Sequence, residues 1–146
     1  MKNFRVAAAV LAALSIPAAA QQMKLEDQVK YRRAAYNVIA LNFGNMAAMA
    51  QDKKPFNKDE AARNADIVSM LATTPKGFFG PGTDKDTKAK PEIWTNRADF
   101  DAKMDKMVAE AQKLPAAARG DTGAFKKQVS DTAAACKACH DDYRAK

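Results

Sequence analysis

The sequence predicts an all-α protein, an antiparallel up-down-up-down four-helix bundle. Three observations lead there. Four stretches carry apolar residues at alternating spacings of three and four, the mark of a helix seam. The connections between them are mostly short, which favours antiparallel neighbours. No stretch alternates apolar and polar residues as a half-buried strand does.

The first twenty residues stand apart from the bundle. Lys2 and Arg5 precede an apolar run over residues 6–16, followed by Pro17, Ala18-Ala19-Ala20 and the polar pair Gln21-Gln22. That run is about half of the roughly 20 residues that span a bilayer, so residues 1–20 read as a secretory signal peptide cleaved before Gln21. An uncleaved anchor is the alternative, and the shortness of the run argues against it. Residues 21–146 remain as one domain, large enough for a single core.

Helix one is expected over Leu25–Ala50, with Leu25, Val29, Arg32, Tyr36, Ile39, Phe43, Met46 and Ala50 on its seam. Arg32 is out of place there. A buried unpaired guanidinium costs several kcal/mol, about 3–5 when its partner is missing, so it must meet an anion or reach solvent. A second stripe of Ala34, Val38, Leu41 and Ala48 offers an apolar surface to another helix or a second subunit. After a connection holding Pro55, Asn57 with Glu60 three residues on marks the start of helix two, which runs to Ala72 with Ala61, Ala65, Val68 and Ala72 on one face.

Residues 73–95 form the long connection, with Pro75, Gly80, Pro81, Gly82 and Pro91 in it. Loops of this length are usually functional or disordered. Its charged part, residues 84–90, reads as solvated surface, whereas Phe78 and Phe79 call for an apolar berth. Helix three is expected from Asn96, carrying Phe100, Met104, Met107, Ala111, Leu114 and Ala118, irregular near Pro115 and ended by Gly120. Asp121 then caps helix four, whose seam is Phe125, Val129, Thr132, Cys136, Cys139 and Tyr143.

The end of helix four holds the chemistry. Cys136-Lys137-Ala138-Cys139-His140 is the attachment pattern of a c-type haem, in which both thiols bond the porphyrin and the imidazole ligates the iron. A redox dithiol wants strand-helix-strand surroundings. A disulfide across this spacing within a helix is strained, and a zinc site wants four ligands where the chain has two cysteines and one histidine. The expected cofactor is one covalently attached haem c per chain. Thioether attachment is completed outside the bacterial cytoplasm, so the expected compartment is the periplasm.

In an up-down bundle the end of helix four, the start of helix one and the long connection share a pole. A haem held by Cys136, Cys139 and His140 therefore faces Arg32 and Tyr36, and a propionate is the anion that Arg32 lacks. The sixth coordination position decides the function. His140 is the sole histidine, and among the methionines Met104 is the best candidate ligand, though methionine at helical spacing is usually core. Tyr36 is expected over the iron, and a neutral phenol ligates poorly because its pKa is near 10. A five-coordinate, open iron follows.

These residues bring a family into view. The chain resembles the cytochromes c prime through Val29-Lys30-Tyr31-Arg32, Asn42-Phe43-Gly44-Asn45-Met46, Phe79-Gly80-Pro81-Gly82-Thr83, Pro91-Glu92-Ile93-Trp94 and the run from Cys136 through Arg144. The resemblance implies a left-handed bundle, a homodimer through helix one, and a high-spin five-coordinate haem that binds nitric oxide and carbon monoxide behind a crowded distal pocket. It also places Arg32 and Arg33 near the propionates, Tyr36 at the distal position and Arg144 beside the proximal imidazole. Lys76 follows Pro75 where some relatives carry an aromatic, which bears on the packing of the long connection.

Charge narrows the partners. The formal net charge is +7, with Lys2 and Arg5 supplying two of those charges. The bases are dispersed, which excludes a nucleic-acid surface and leaves a mild preference for acidic partners. The expectation is a gas-binding and electron-transfer protein with an unidentified periplasmic redox partner, with no membrane contact after signal removal. A six-coordinate, low-spin carrier with a methionine ligand is the alternative. An enzyme needs polar distal groups, for which Tyr36 alone is thin support.

Overall fold

The computed structural model describes residues 23–146. The predicted signal peptide lies outside the described residues. Within them the chain forms six helices: α1 (Leu25–Ala50), α2 (Lys58–Ala72), α3 (Glu92–Thr95), α4 (Arg97–Ala111), α5 (Leu114–Arg119) and α6 (Thr122–Tyr143), with a 3-10 turn at Pro75–Phe78. Helix α1 packs on α2 and α6, α4 packs on α6, and α5 packs between α2 and α6. Counting α4 and α5 as one kinked rod, this is the four-helix bundle that the seams predict.

The starts of the helices follow their sequence signals. Asn57 Oδ1 accepts from the Glu60 amide at 2.9 Å, and Asp121 Oδ1 accepts from the Ala124 amide at 2.8 Å, each satisfying one of the donors a helix leaves free at its N-terminus. The predicted irregularity near Pro115 is a full break. Helix α4 stops at Ala111, and α5 restarts at Leu114 with Pro115 in its first turn, where a missing amide hydrogen costs nothing.

The seam residues of α2, α4, α5 and α6 make up most of the core, joined by Phe79 and Ile93 of the long connection. Ala61, Ala65, Val68, Ala72, Phe100, Met104, Met107, Ala111, Leu114, Ala118, Phe125 and Val129 are all buried. Full burial of a large apolar side chain such as Phe100 or Phe125 is worth roughly 1.5–3 kcal/mol. The small alanines of α2 let the neighbouring helices approach closely.

Helix α1 corrects one expectation. Leu25, placed on the seam from spacing, is 50% exposed, whereas Met49, off the seam, is buried. Leu25 is the first residue of α1, where the bundle covers it only in part, and Met49 lies about one turn past the buried seam residue Met46 on the same side of the helix. Among the described residues no helix is long and apolar enough to cross a membrane.

The long connection is ordered by contacts from three helices. The Arg32 guanidinium donates to the Phe78 carbonyl at 2.8 Å, Arg97 to that of Phe79 at 2.9 Å, and the Trp94 indole to that of Gly80 at 3.0 Å. Three consecutive carbonyls are thus held from α1, α4 and α3. Gly82 turns the chain with φ +82°, a left-handed conformation that glycine adopts without penalty. Farther along, the Lys90 amide donates to the Tyr143 carbonyl at 3.0 Å and the Ala145 amide to that of Lys88 at 2.8 Å. These bonds lay residues 88–90 against the end of α6.

Candidate haem-attachment site

The last turns of α6 bring the motif residues to the boundary between core and solvent. Cys136 is half-buried, Cys139 is buried, and His140, one residue on, is exposed. Both thiols are free. Burial pushes the Cys139 thiol up to about 11, against the opposing pull of the Lys103 ammonium, and raises Cys136 for the same first reason. The two sulfurs are therefore neutral thiols in an apolar setting. Partial burial and the charge of Arg144 hold the imidazole of His140 below its ordinary pKa, which favours the neutral form that ligates a metal.

Facing them from α1 and α4 are Tyr36 and Met104. Burial, and next the proximity of the Cys139 thiol, push the Tyr36 phenol far above its ordinary value, so it stays protonated. Its hydroxyl donates to the Met104 sulfur at 3.6 Å. Phe79 meets Tyr36 edge-on, with ring centroids 6.5 Å apart, and meets Phe100 edge-on at 4.9 Å. Phe100 in turn stands edge-on to Tyr143 at 5.3 Å. A chain of aromatic rings runs from α1 through the long connection to α6.

Arg32 is buried, as its seam position requires, and its partners are neutral oxygens. Besides the Phe78 carbonyl, it donates to the Thr83 hydroxyl at 3.1 Å and the Thr83 carbonyl at 2.8 Å, while its guanidinium carbon lies 4.1 Å from the Phe79 ring centroid. The anion demanded by the sequence argument is thus replaced by loop oxygens and a ring face. Three of its five N–H donors are used, and two remain.

The donor set fits a c-type haem. Two unpaired thiols stand one turn apart on a single helix, followed at once by the sole histidine, and the ground beside them is apolar and aromatic. Residues 27–144 match the family described as Cytochrome C'.

The chain belongs to the cytochrome c' family.

Membership implies haem c, for which Cys136, Cys139 and His140 supply the attachment pattern. The chain is 46% identical over 129 residues to the cytochrome c' of Rubrivivax gelatinosus, an alignment covering 86% of this chain and all of the relative. The crystal structure of that protein superposes with a TM-score of 0.81 over 86% of this chain and 100% of the other, at 45% identity. The cytochrome c prime of Shewanella frigidimarina gives 0.82 at 39% identity, covering 86% and 99%. Structures of the Alcaligenes xylosoxidans protein include a nitric oxide complex of a mutant, with a TM-score of 0.78 at 37% identity over 86% and 99% of the chains. A carbon monoxide-bound variant gives 0.77 at 38% identity over 84% and 98%. The up-down-up-down bundle seen here is one for which cytochromes c' are a standard example.

The remaining predicted residues lie as follows. Arg33 is exposed, on the flank of α1 away from the core. Arg144 follows the last turn of α6, where its amide donates to the His140 carbonyl at 3.1 Å and its side chain is exposed. Lys76, which follows Pro75 in the long connection, pairs with Asp105 of α4 across the surface of the bundle.

Two features escaped the sequence reading. Phe79 is the hub of the ring chain, and only its place in an apolar pair hinted at that. Lys103 of α4 pairs with Asp142 at 2.7 Å and Asp99 at 3.5 Å, and Tyr143 donates to Asp99 at 2.6 Å, raising its phenol to about 12. This cluster ties the end of α6 to α4, and nothing in local sequence marks it.

Proposed function

We propose that the mature protein is a periplasmic c-type haem protein with five-coordinate, high-spin iron, binding nitric oxide and carbon monoxide and taking part in electron transfer. The observation that carries this reading is the meeting of Tyr36, Met104 and Phe79 beside Cys136 and Cys139, with no second histidine in the chain. When bound, haem supplies an iron coordination position for diatomic gases and a one-electron couple.

The chain's own residues shape that position. Cys136 and Cys139 would hold the group covalently, and His140, kept neutral, would be its one protein ligand. Tyr36 presents a phenol too weakly acidic to ionise and engaged with Met104, which crowds the opposite side without ligating. Arg32 keeps two donors for a propionate, and Arg33 and Arg144 add positive charge near the propionates and the proximal imidazole respectively. The small, uncharged and weakly polar gases suit such a pocket. Turnover is not proposed, because Tyr36 offers a single polar group on that side and enzymes of this kind need polar distal groups that act on the bound substrate.

The exposed stripe on α1 supports a homodimer through that helix. Val38 and Leu41 are 42% and 69% exposed, an apolar surface that water does not favour. Residues 1–20 support export, as does the pairing of attachment cysteines with an oxidising compartment.

A second reading has its own observation. Met104 brings a sulfur to the Tyr36 side, so methionine ligation would yield a low-spin electron carrier. Optical titration of the ferrous holoprotein with carbon monoxide and nitric oxide separates the two. Saturable spectral change with both gases is expected, and a low-spin spectrum indifferent to either would overturn the first reading.

A further inference from the structure

We propose that Arg32 is a positioning residue for Tyr36, acting through Phe79 and residues 78–83 of the long connection, and so helps set the rate at which gases reach the iron. The inference rests on the reading that Tyr36 crowds the open coordination side. Arg32 and Tyr36 are one turn apart on α1, with no direct contact between them needed. Phe79 joins them from the other side. Its ring lies under the Arg32 guanidinium at 4.1 Å and meets Tyr36 edge-on at 6.5 Å. Its main chain is fixed at the residue before by Arg32 and at its own carbonyl by Arg97.

The fork on Thr83 closes the clamp. Arg32 donates to both the carbonyl and the hydroxyl of Thr83, and that hydroxyl donates to the Gly80 carbonyl at 2.8 Å. Thr83 is completely buried, so these polar groups have no water to turn to if the guanidinium is lost. Residues 78–83 then lose the contact that holds Phe79 against Tyr36, and the phenol ring gains room to swing. Arg32 thus carries two duties on separate donors, with three N–H groups on the loop and two left for a carboxylate.

The test measures carbon monoxide association by stopped flow on the ferrous holoprotein, alongside hydrogen exchange of the amides of residues 78–83. The variants are Arg32→Met, Arg32→Lys, Thr83→Val and Phe79→Leu, each alone and with Tyr36→Ala. Thr83→Val and Phe79→Leu leave every charge in place, so they separate the clamp from any propionate contact of Arg32. They also carry the test if Arg32→Met does not fold.

Arg32→Met and Phe79→Leu are expected to speed association by about threefold to tenfold, the size of one lost ring contact. Arg32→Lys and Thr83→Val should fall between these and the parent. Amide exchange should quicken in the Arg32 and Thr83 variants, and the rate effects should vanish in the Tyr36→Ala background. Parent-like association in the charge-preserving variants, with Tyr36→Ala altered, overturns the inference and spares the reading beneath it. An effect that persists undiminished without Tyr36 also overturns it. Parent-like association in Tyr36→Ala itself removes the shielding role of that residue, and this inference with it.

Discussion

The hydroxyl of Tyr36 on α1 donates to the sulfur of Met104 on α4 across 3.6 Å. The contact joins the two residues that compete for the open side of the candidate site. A thioether is a weak acceptor, so the bond stabilises the fold little. Its consequence is positional, because each side chain limits where the other can go.

Replacing Met104 by leucine tests which of them matters to iron. The swap nearly conserves volume and should cost less than about 1.5 kcal/mol of stability. If Met104 is not a ligand, the Met104→Leu holoprotein keeps the parent's spin state and its response to carbon monoxide. Conversion from low-spin to high-spin on this substitution would instead make Met104 the sixth ligand.

Glu110 predicts how the bundle responds to acid. The residue is buried, and its carboxylate accepts from Lys106 at 2.7 Å, Gln128 at 2.9 Å and Lys113 at 2.9 Å. Those bonds, led by Lys106, hold its pKa at about 2. A carboxyl depressed on folding adds stability above its unfolded pKa, and the contribution fades as pH falls through the folded one. Glu110→Gln should therefore lower the urea midpoint at pH 7, with the gap to the parent closing as pH approaches about 2. A gap that does not depend on pH would show that the carboxylate's charge contributes nothing.

The two helix caps sit at the pole away from the motif. Asn57→Ala and Asp121→Ala should each cost about 1 kcal/mol in denaturant titrations. Neither should alter the visible spectrum of the holoprotein. A spectral change on either would mean that the far pole is coupled to the site.

Leu41 is the most exposed large apolar residue of α1. If that stripe is an interface between copies, Leu41→Glu should shift the protein from dimer to monomer in sedimentation velocity. An unchanged dimer would move the interface elsewhere.

The helices and the attachment motif were legible because both are written in local spacing. Seams, caps at Asn57 and Asp121, and the break near Pro115 all depend on residues within a turn or two of each other. The adjacency of Tyr36 to Cys139 followed from direction alone, since an up-down bundle brings the start of α1 to the end of α6. What stayed hidden depends on long-range partners. The oxygens that satisfy Arg32 belong to Phe78 and Thr83, some fifty residues on, and two of the three are main-chain carbonyls with no side-chain signature. Helix α3 leaves no mark in the sequence, since four residues are too few to show a helical period. Leu25 was misplaced because spacing carries no information on how far along a helix its neighbours reach.

The proposed function requires a single protein ligand to the iron, His140, with the opposite side crowded by Tyr36. Electron paramagnetic resonance of the purified ferric holoprotein at neutral pH reads this directly. A signal of high-spin iron, converted on reduction to a form that binds carbon monoxide, is the predicted result. A low-spin signal from iron with two strong axial ligands would contradict it.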